Sequence, residues 1–179
     1  MRILALDQAR NGAWAVYEYE TGTLIAYDSF EFSSRHYTYA QAIMHIEALV
    51  AQIINDYGVS AVFVEDIQYR ANMQAFKKLA QLQGVLVNLF EKHDLLYGYV
   101  YPSQWQGFCK ARGRSSKEIK DKVESLEYGD KKASKVLSIQ FVKDRFGIET
   151  DNDNIADAIC IGLYVCDVIN INLGDKELT

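Results

Sequence analysis

A single proline, Pro102, stands in a chain of 179 residues, and no stretch is rich in glycine and serine. That excludes a proline-rich spacer or a flexible linker, and the length fits one domain with a full-sized core. No apolar run approaches the roughly 20 residues that a membrane-spanning helix needs. The first apolar run meets an acid at Asp7, too early for a secretory leader. Three cysteines, Cys109, Cys160 and Cys166, form no CxxC pair. Their spacing fits neither a zinc site nor a redox dithiol, and reads as reduced thiols in a cytoplasmic protein. Three histidines, His36, His45 and His93, share no ligand spacing. Internal repeats and low-complexity tracts are absent.

The net charge of −5 disfavours a general nucleic-acid binder. Its distribution changes that reading. Between Lys110 and Lys135 nine Lys/Arg face five acids, a local +4, so the rest of the chain carries −9. A basic segment on an acidic body fits a protein that meets phosphate on one face. A solvated helix of mixed charge is the alternative.

Hydrophobic periodicity sets the elements. Ile3 to Asp7 reads as a buried strand, Ala13 to Tyr19 as a second and Leu24 to Phe32 as a third. Turns are expected at Asn11-Gly12 and Thr21-Gly22, which makes an antiparallel meander. Tyr39 to Tyr57 carries apolar residues at helical spacing and is stopped by Gly58. Ala61 to Glu65 is a short apolar run of the kind buried on both faces of a sheet. A long helix follows over Met73 to Lys92, then a fifth strand over Leu96 to Tyr101, closed by Pro102. Beyond the basic segment, helices are expected over Ala133 to Phe146 and about Asn152 to Asn170. Residues 1–171 then form one domain, and 172–179 a tail. Three meander strands followed by helical crossovers predict an α/β fold. Its five-stranded mixed sheet has three antiparallel meander strands plus two parallel strands, flanked by helices, the layout of an RNase H-like fold.

Four acids occupy telling places in that layout. Asp7 ends the first strand and Glu65 the fourth, and these two strands are expected side by side and parallel. Asp153 and Asp157 lie four apart at the head of the last helix, hence on one face, about 6 Å apart. Carboxylates gathered there repel one another unless cations are bound, and the local sequence offers no lysine to neutralise them. An all-oxygen set favours Mg²⁺, with Mn²⁺ as substitute, over zinc. Two such ions about 3.5–4 Å apart promote in-line displacement at phosphate. Each acid also has a structural use: a turn residue at Asp7, an ion pair with Arg70 at Glu65, a helix cap at Asp153. Asp157, inside an apolar run, has none so plain.

These residues resemble the RuvC-type Holliday junction resolvases over most of the chain. A strand ending in Glu65 is followed by Lys78-Leu79-Ala80-Gln81-Leu82-Gln83-Gly84, and the last helix opens with Asp153-Asn154-Ile155-Ala156-Asp157-Ala158. Tyr101-Pro102 before a basic stretch also resembles the family. The resemblance implies a Mg²⁺-dependent endonuclease acting on four-way DNA junctions as a homodimer, with Asp7, Glu65, Asp153 and Asp157 as catalytic metal ligands. Phe76, Leu79 and Leu86 become candidates for its dimer surface. Tyr69, Arg70, Lys77, Lys78, Arg112, Arg114, Lys117, Lys132 and Lys135 become candidates for DNA contact. Two departures stand out. Bacterial members place the third acid at the position of Asn154, so Asp153 is its expected substitute, as in the fungal mitochondrial branch, with Asp151 as the alternative. The junction-centre aromatic of bacterial members falls on Gln68, and Tyr69 is its neighbour. These departures resemble a phage-encoded member, which would act in the cytoplasm of a bacterial host. Whether a branch-migration partner serves it is open.

Other readings keep the fold. A non-catalytic junction-binding protein is compatible with the departure at Asn154. An ATP-dependent phosphotransferase needs glycine-rich phosphate loops, whereas Asp7-Gln8-Ala9-Arg10-Asn11-Gly12 has one glycine. Trp105 and Phe108, beside basic residues, offer either stacking surfaces for bases or buried packing; packing is the expected use.

Overall fold

Strand β1 (Arg2–Asp7) lies near the middle of the sheet, antiparallel to β2 (Asn11–Glu18) on one side and parallel to β4 (Ala61–Glu65) on the other. The structure, a computed structural model, describes residues 1–69, 72–111, 133–171 and 177–178. β3 (Thr23–Glu31) completes the meander, and β5 (Leu96–Val100) adds in parallel to β4. The expected five-stranded mixed sheet is therefore present. One pair of residues extends it: β6 (Glu177–Leu178) runs parallel to β5, giving the order β3-β2-β1-β4-β5-β6. The tail expected over 172–179 thus contributes an edge pairing, which covers backbone groups that β5 would otherwise present as an open edge.

The helices divide between the two faces. α1 (Tyr39–Tyr57) and α2 (Met73–Lys92) cover one; α3 (Pro102–Phe108), α4 (Ala133–Phe146) and α5 (Asp153–Val168) cover the other. Their boundaries follow local chemistry. Thr38 and Gln41 cap α1 reciprocally, and Gly58 closes it in the left-handed conformation at φ +60°. The Asn72 side chain accepts from the backbone N–H groups of Gln74 and Ala75 to start α2. Strand side chains alternate between the faces: Ile3 and Ala5 join Ala61 and Phe63 beneath α5, whereas Leu4 and Leu6 join Val62 and Val64 toward α1 and α2.

α5 lies unusually close to the sheet. A Cβ at Gly162 would come within 2.4 Å of the Tyr17 ring and 3.3 Å of the Ala5 Cβ. Small residues at Ala5, Ala13 and Ala15 and the absent side chain of Gly162 permit the approach. The buried Tyr17 hydroxyl then donates to the Ile159 carbonyl at 2.9 Å. This packing sets the height of the helix over the ends of β1 and β4.

Three expectations are corrected. Asn11-Gly12 is not the first turn but the start of β2; the chain reverses at Gln8-Ala9-Arg10. Arg10 holds that reversal by donating to the Phe32 and Tyr37 carbonyls. Glycine is required at position 12 because a Cβ there would lie 2.3 Å from the Asp7 carbonyl oxygen. Pro102 to Phe108 form a short helix, α3, too short to show a periodic signal. Leu86 belongs to the core under α2, 1% exposed, and offers no dimer surface, while Phe76 and Leu79 are half-buried. Among the described residues no helix is long and apolar enough to cross a membrane.

Candidate active site

The acids converge because three elements end in one place. Leu6 of β1 pairs with Val64 of β4, so the next residue of each strand, Asp7 and Glu65, leaves the sheet at the same level. The period-two alternation turns both to the face that α5 covers. α5 begins over this edge. Asn152, not Asp153, is its N-cap, accepting from the Asn154 N–H at 3.0 Å, which leaves Asp153 in the first turn. The Asn154 side chain donates to the Asn11 carbonyl at 3.3 Å and ties the helix to the start of β2.

Electrostatics show that three of the acids feel one another. Burial pushes the Asp7 carboxyl well above the ordinary carboxylate range, and the charges of Glu65 and Asp157 push it further. Asp157 is pushed up to about 7, chiefly by burial and then by Glu65; Ser138 and Lys135 act in the opposite sense. The Asp157 Oδ1 is buried with no hydrogen-bond partner among the described residues. An orphaned buried carboxylate oxygen costs stability unless something positive meets it.

Protein donors reach three of the four acids, Ser138 meeting Asp157. Glu65 Oε1 accepts from the indole N–H of Trp105 at 3.0 Å. Asp153 forms an ion pair with Lys135, which projects from the first turn of α4. Lys135, a candidate for DNA contact, is paired here with an acid, and it supplies the positive charge that the sequence near the four carboxylates lacks. Among the described residues no three Asp, Glu, His or Cys side chains converge tightly enough to ligate one ion as they stand. The arrangement is a set of interacting carboxylates, three of them met by protein donors.

Beside the acids runs a cleft of about 370 Å³, lined by Asp7, Gln8, Glu65, Gln68, Phe76 and Leu79 among others. Gln8 is buried at its rim. Its side-chain amide donates to the Glu65 carbonyl at 3.0 Å and to Gln83 Oε1 at 3.2 Å, bridging β1, β4 and α2. Tyr69 is 61% exposed near this cleft, and its ring meets Phe76 edge-on at 5.7 Å. Lys77 and Lys78 are exposed in the first half of α2, with the Lys78 ammonium over the Tyr39 ring. Asp151 is exposed and lines a separate depression with Lys143 and Glu149. Arg70, Arg112, Arg114, Lys117 and Lys132 lie outside the described residues.

Two participants escaped the sequence reading. Trp105 was expected to pack, and it does at 1% exposure, but its contact with Glu65 was not foreseen. Gln8 gave no sequence signal beyond its place after Asp7. Trp105 had one: a buried indole needs an acceptor, and the strand preceding its helix runs beside the strand that ends in Glu65.

No protein-family model and no curated protein sequence matches the chain. Solved structures do. The chain is similar to Thermus thermophilus RuvC in complex with a Holliday junction substrate, at 15% identity over 92% of each chain and a TM-score of 0.66. It is similar to the fowlpox virus resolvase in complex with Holliday junction DNA, at 17% identity over 93% of this chain and 97% of that one, TM-score 0.52. The yeast mitochondrial Holliday junction resolvase matches at 10% identity over 92% of this chain and 77% of its own, TM-score 0.57. The fold is thus the RNase H-like fold of the RuvC-type resolvases, as the motifs implied.

Proposed function

We propose that this chain is a structure-selective endodeoxyribonuclease that cuts four-way DNA junctions, with other branched DNA as further substrates, by divalent-metal-assisted phosphodiester hydrolysis. One observation carries the reading: burial raises the Asp7 and Asp157 carboxyls, and at the C-terminal edge of the sheet the charge of Glu65 reaches both and that of Asp157 reaches Asp7. Such edges are where open α/β sheets place their chemistry. The fold shared with proteins solved on Holliday junction DNA supports the substrate class.

The donor set fits a hard divalent cation. It is all carboxylate, it includes a buried oxygen without a partner, and its mutual repulsion is what a bound cation relieves. Mg²⁺ is the expected ion and Mn²⁺ its substitute. When bound, such ions activate a water and stabilise the leaving oxygen of the phosphodiester. Asp7, Glu65 and Asp157 hold them, and Asp153 joins when its carboxylate is shared between Lys135 and the site. Lys77 and Lys78, together with Arg70, Arg112, Arg114, Lys117 and Lys132, contact phosphates, which sets affinity but carries no base code. Tyr69 stacks on a base exposed at the junction. Two copies of the chain act together, because symmetric cleavage of a four-way junction matches a two-fold dimer. The half-buried Phe76 and Leu79 lie on its surface. A protein that binds junctions without cutting them is the second reading, and the ion pair that occupies Asp153 favours it.

The test is a labelled four-way junction incubated with the protein and Mg²⁺ or Mn²⁺, against duplex and three-way controls. Paired symmetric cuts in the four-way junction are expected. Asp7→Asn and Glu65→Gln should abolish cutting and retain junction binding. Binding without cuts by the unaltered chain would establish the second reading; cutting by either variant at the parental rate would overturn the metal site.

A further inference from the structure

Trp105 makes a contact that the acid cluster does not require. α3 begins at Pro102, directly after β5, and carries the indole into the core beneath the end of β4. There it is 1% exposed. An indole N–H only donates; it cannot ligate a cation, and once buried it needs an acceptor. The acceptor here is a carboxylate, Glu65 Oε1, at 3.0 Å. Hydrogen bonds to a charged acceptor are about twice as strong as neutral ones. Glu65 is restrained a second time at its backbone, where the carbonyl accepts from the Gln8 amide at 3.0 Å. Neither Trp105 nor Gln8 is a candidate ligand among the four acids, yet together they restrain the side chain and the backbone of one of them.

We propose that Trp105 is a positioning residue for metal binding: its indole N–H holds Glu65 Oε1 and so fixes the orientation of a carboxylate that would hold a divalent cation together with Asp7 and Asp157. The inference rests on the metal-site reading above and deepens it. Partners that orient a ligand carboxylate set affinity as well as geometry, and their loss typically weakens metal binding about 10–100-fold. The same bond makes Trp105 a reporter, since a paramagnetic ion held by Glu65 quenches an indole bonded to that carboxylate. Trp14, the other tryptophan, lies in the core on the opposite face, against Tyr57. Trp14→Phe therefore leaves Trp105 as the only indole emitter.

The experiment uses the full chain without DNA. Mn²⁺ binding is followed by electron paramagnetic resonance and by emission of the Trp14→Phe protein. Saturable quenching is expected over the concentration range in which the ion binds. Trp105→Phe should bind Mn²⁺ about tenfold or more weakly. Because Phe also leaves a cavity, Trp105 is in parallel replaced by β-(3-benzothienyl)alanine, which keeps the ring shape and exchanges the N–H for sulfur. The same loss of affinity at an unchanged melting temperature establishes the role of the N–H. Affinity within about twofold of the parent in the benzothienyl protein, or no quenching while Mn²⁺ binds, overturns it. Absence of Mn²⁺ binding to the parent protein is a different failure, that of the metal site itself.

Discussion

Asp157→Asn should stabilise this protein at alkaline pH while removing its activity. The folded-state carboxyl of Asp157 is pushed up to about 7 from an ordinary 3.8, first by burial and then by the Glu65 charge. Below the ordinary value the group is protonated in both folded and unfolded chains and makes no difference between them. As pH rises from about 4 to about 7, the unfolded chain releases this proton while the folded chain retains it, so stability falls; above about 7 the loss is complete. The span between 3.8 and about 7, at about 1.4 kcal/mol per pH unit, sets a ceiling of about 4 kcal/mol. The asparagine carbonyl accepts from Ser138 less strongly than a carboxylate does, so a net gain of about 1–3 kcal/mol at pH 8 is expected, or about 3–10 °C in melting temperature for a chain of this size. Thermal melts in EDTA from pH 4 to 8.5 measure it. The advantage of the variant over the parent should be near zero at pH 4 and grow with pH. Adding Mg²⁺ should then raise the melting temperature of the parent more than that of the variant, since an ion that binds only the folded state stabilises it. A variant less stable than the parent by the same amount at pH 4 and pH 8 would refute the reasoning, because the carboxylate would then be holding the fold together.

Further outcomes follow from neighbouring contacts. Asp153→Asn should reduce cleavage by about a hundredfold or more, as loss of a ligand does, while Asp151→Asn should stay within about twofold; initial rates on a four-way junction separate the two candidates. Gly162→Ala should destabilise by about 1–3 kcal/mol in urea unfolding, because the new Cβ meets the Tyr17 ring and lifts α5 from the sheet. Replacing both Lys77 and Lys78 by Ala should weaken junction binding at low salt and flatten its dependence on salt by about one phosphate contact per lysine, as gel-shift titrations from 50 to 200 mM NaCl would show.

The fold was legible where periodicity was strong. The spans Tyr39–Tyr57, Ala61–Glu65 and Met73–Lys92 coincide with the observed elements because each has a continuous apolar face or run bounded by a breaker or a polar stretch. The misreadings were local choices overruled by tertiary contact. Asn11-Gly12 has the composition of a hairpin turn, but the glycine is needed for close approach to the Asp7 carbonyl, and Arg10 supplies the bonds that hold the reversal one step earlier. α3 is only seven residues long, too short for a periodic signal, and its polar residues hid one buried tryptophan. Leu86 was ambiguous in principle: a helix buried on one side shows the same spacing whether that side meets its own sheet or a second subunit.

At the acid site, sequence position located the carboxylates but not their counter-charge. Asp7, Glu65 and Asp157 could be read from strand ends and helical spacing, since backbone geometry alone decides where such residues point. Lys135 could not, because it reaches Asp153 from a different helix, 18 residues away in sequence. Its presence alters the electrostatics in a definite way. The Lys135 ammonium lowers the pKa of Asp7 and Asp157, but burial, and then the neighbouring acids, keep both raised. On the proposed function, a cation bound among these acids would favour their charged forms and offset their repulsion of a DNA phosphate. The ion pair also bears on how the proposed cation would be held: Asp153 would join the ligand set only to the extent that it leaves Lys135, freeing the ammonium for a phosphate. The role first expected for Lys135, holding DNA, and the role expected for Asp153, holding metal, are then alternatives to the pair they form now, and each becomes available only when the other does.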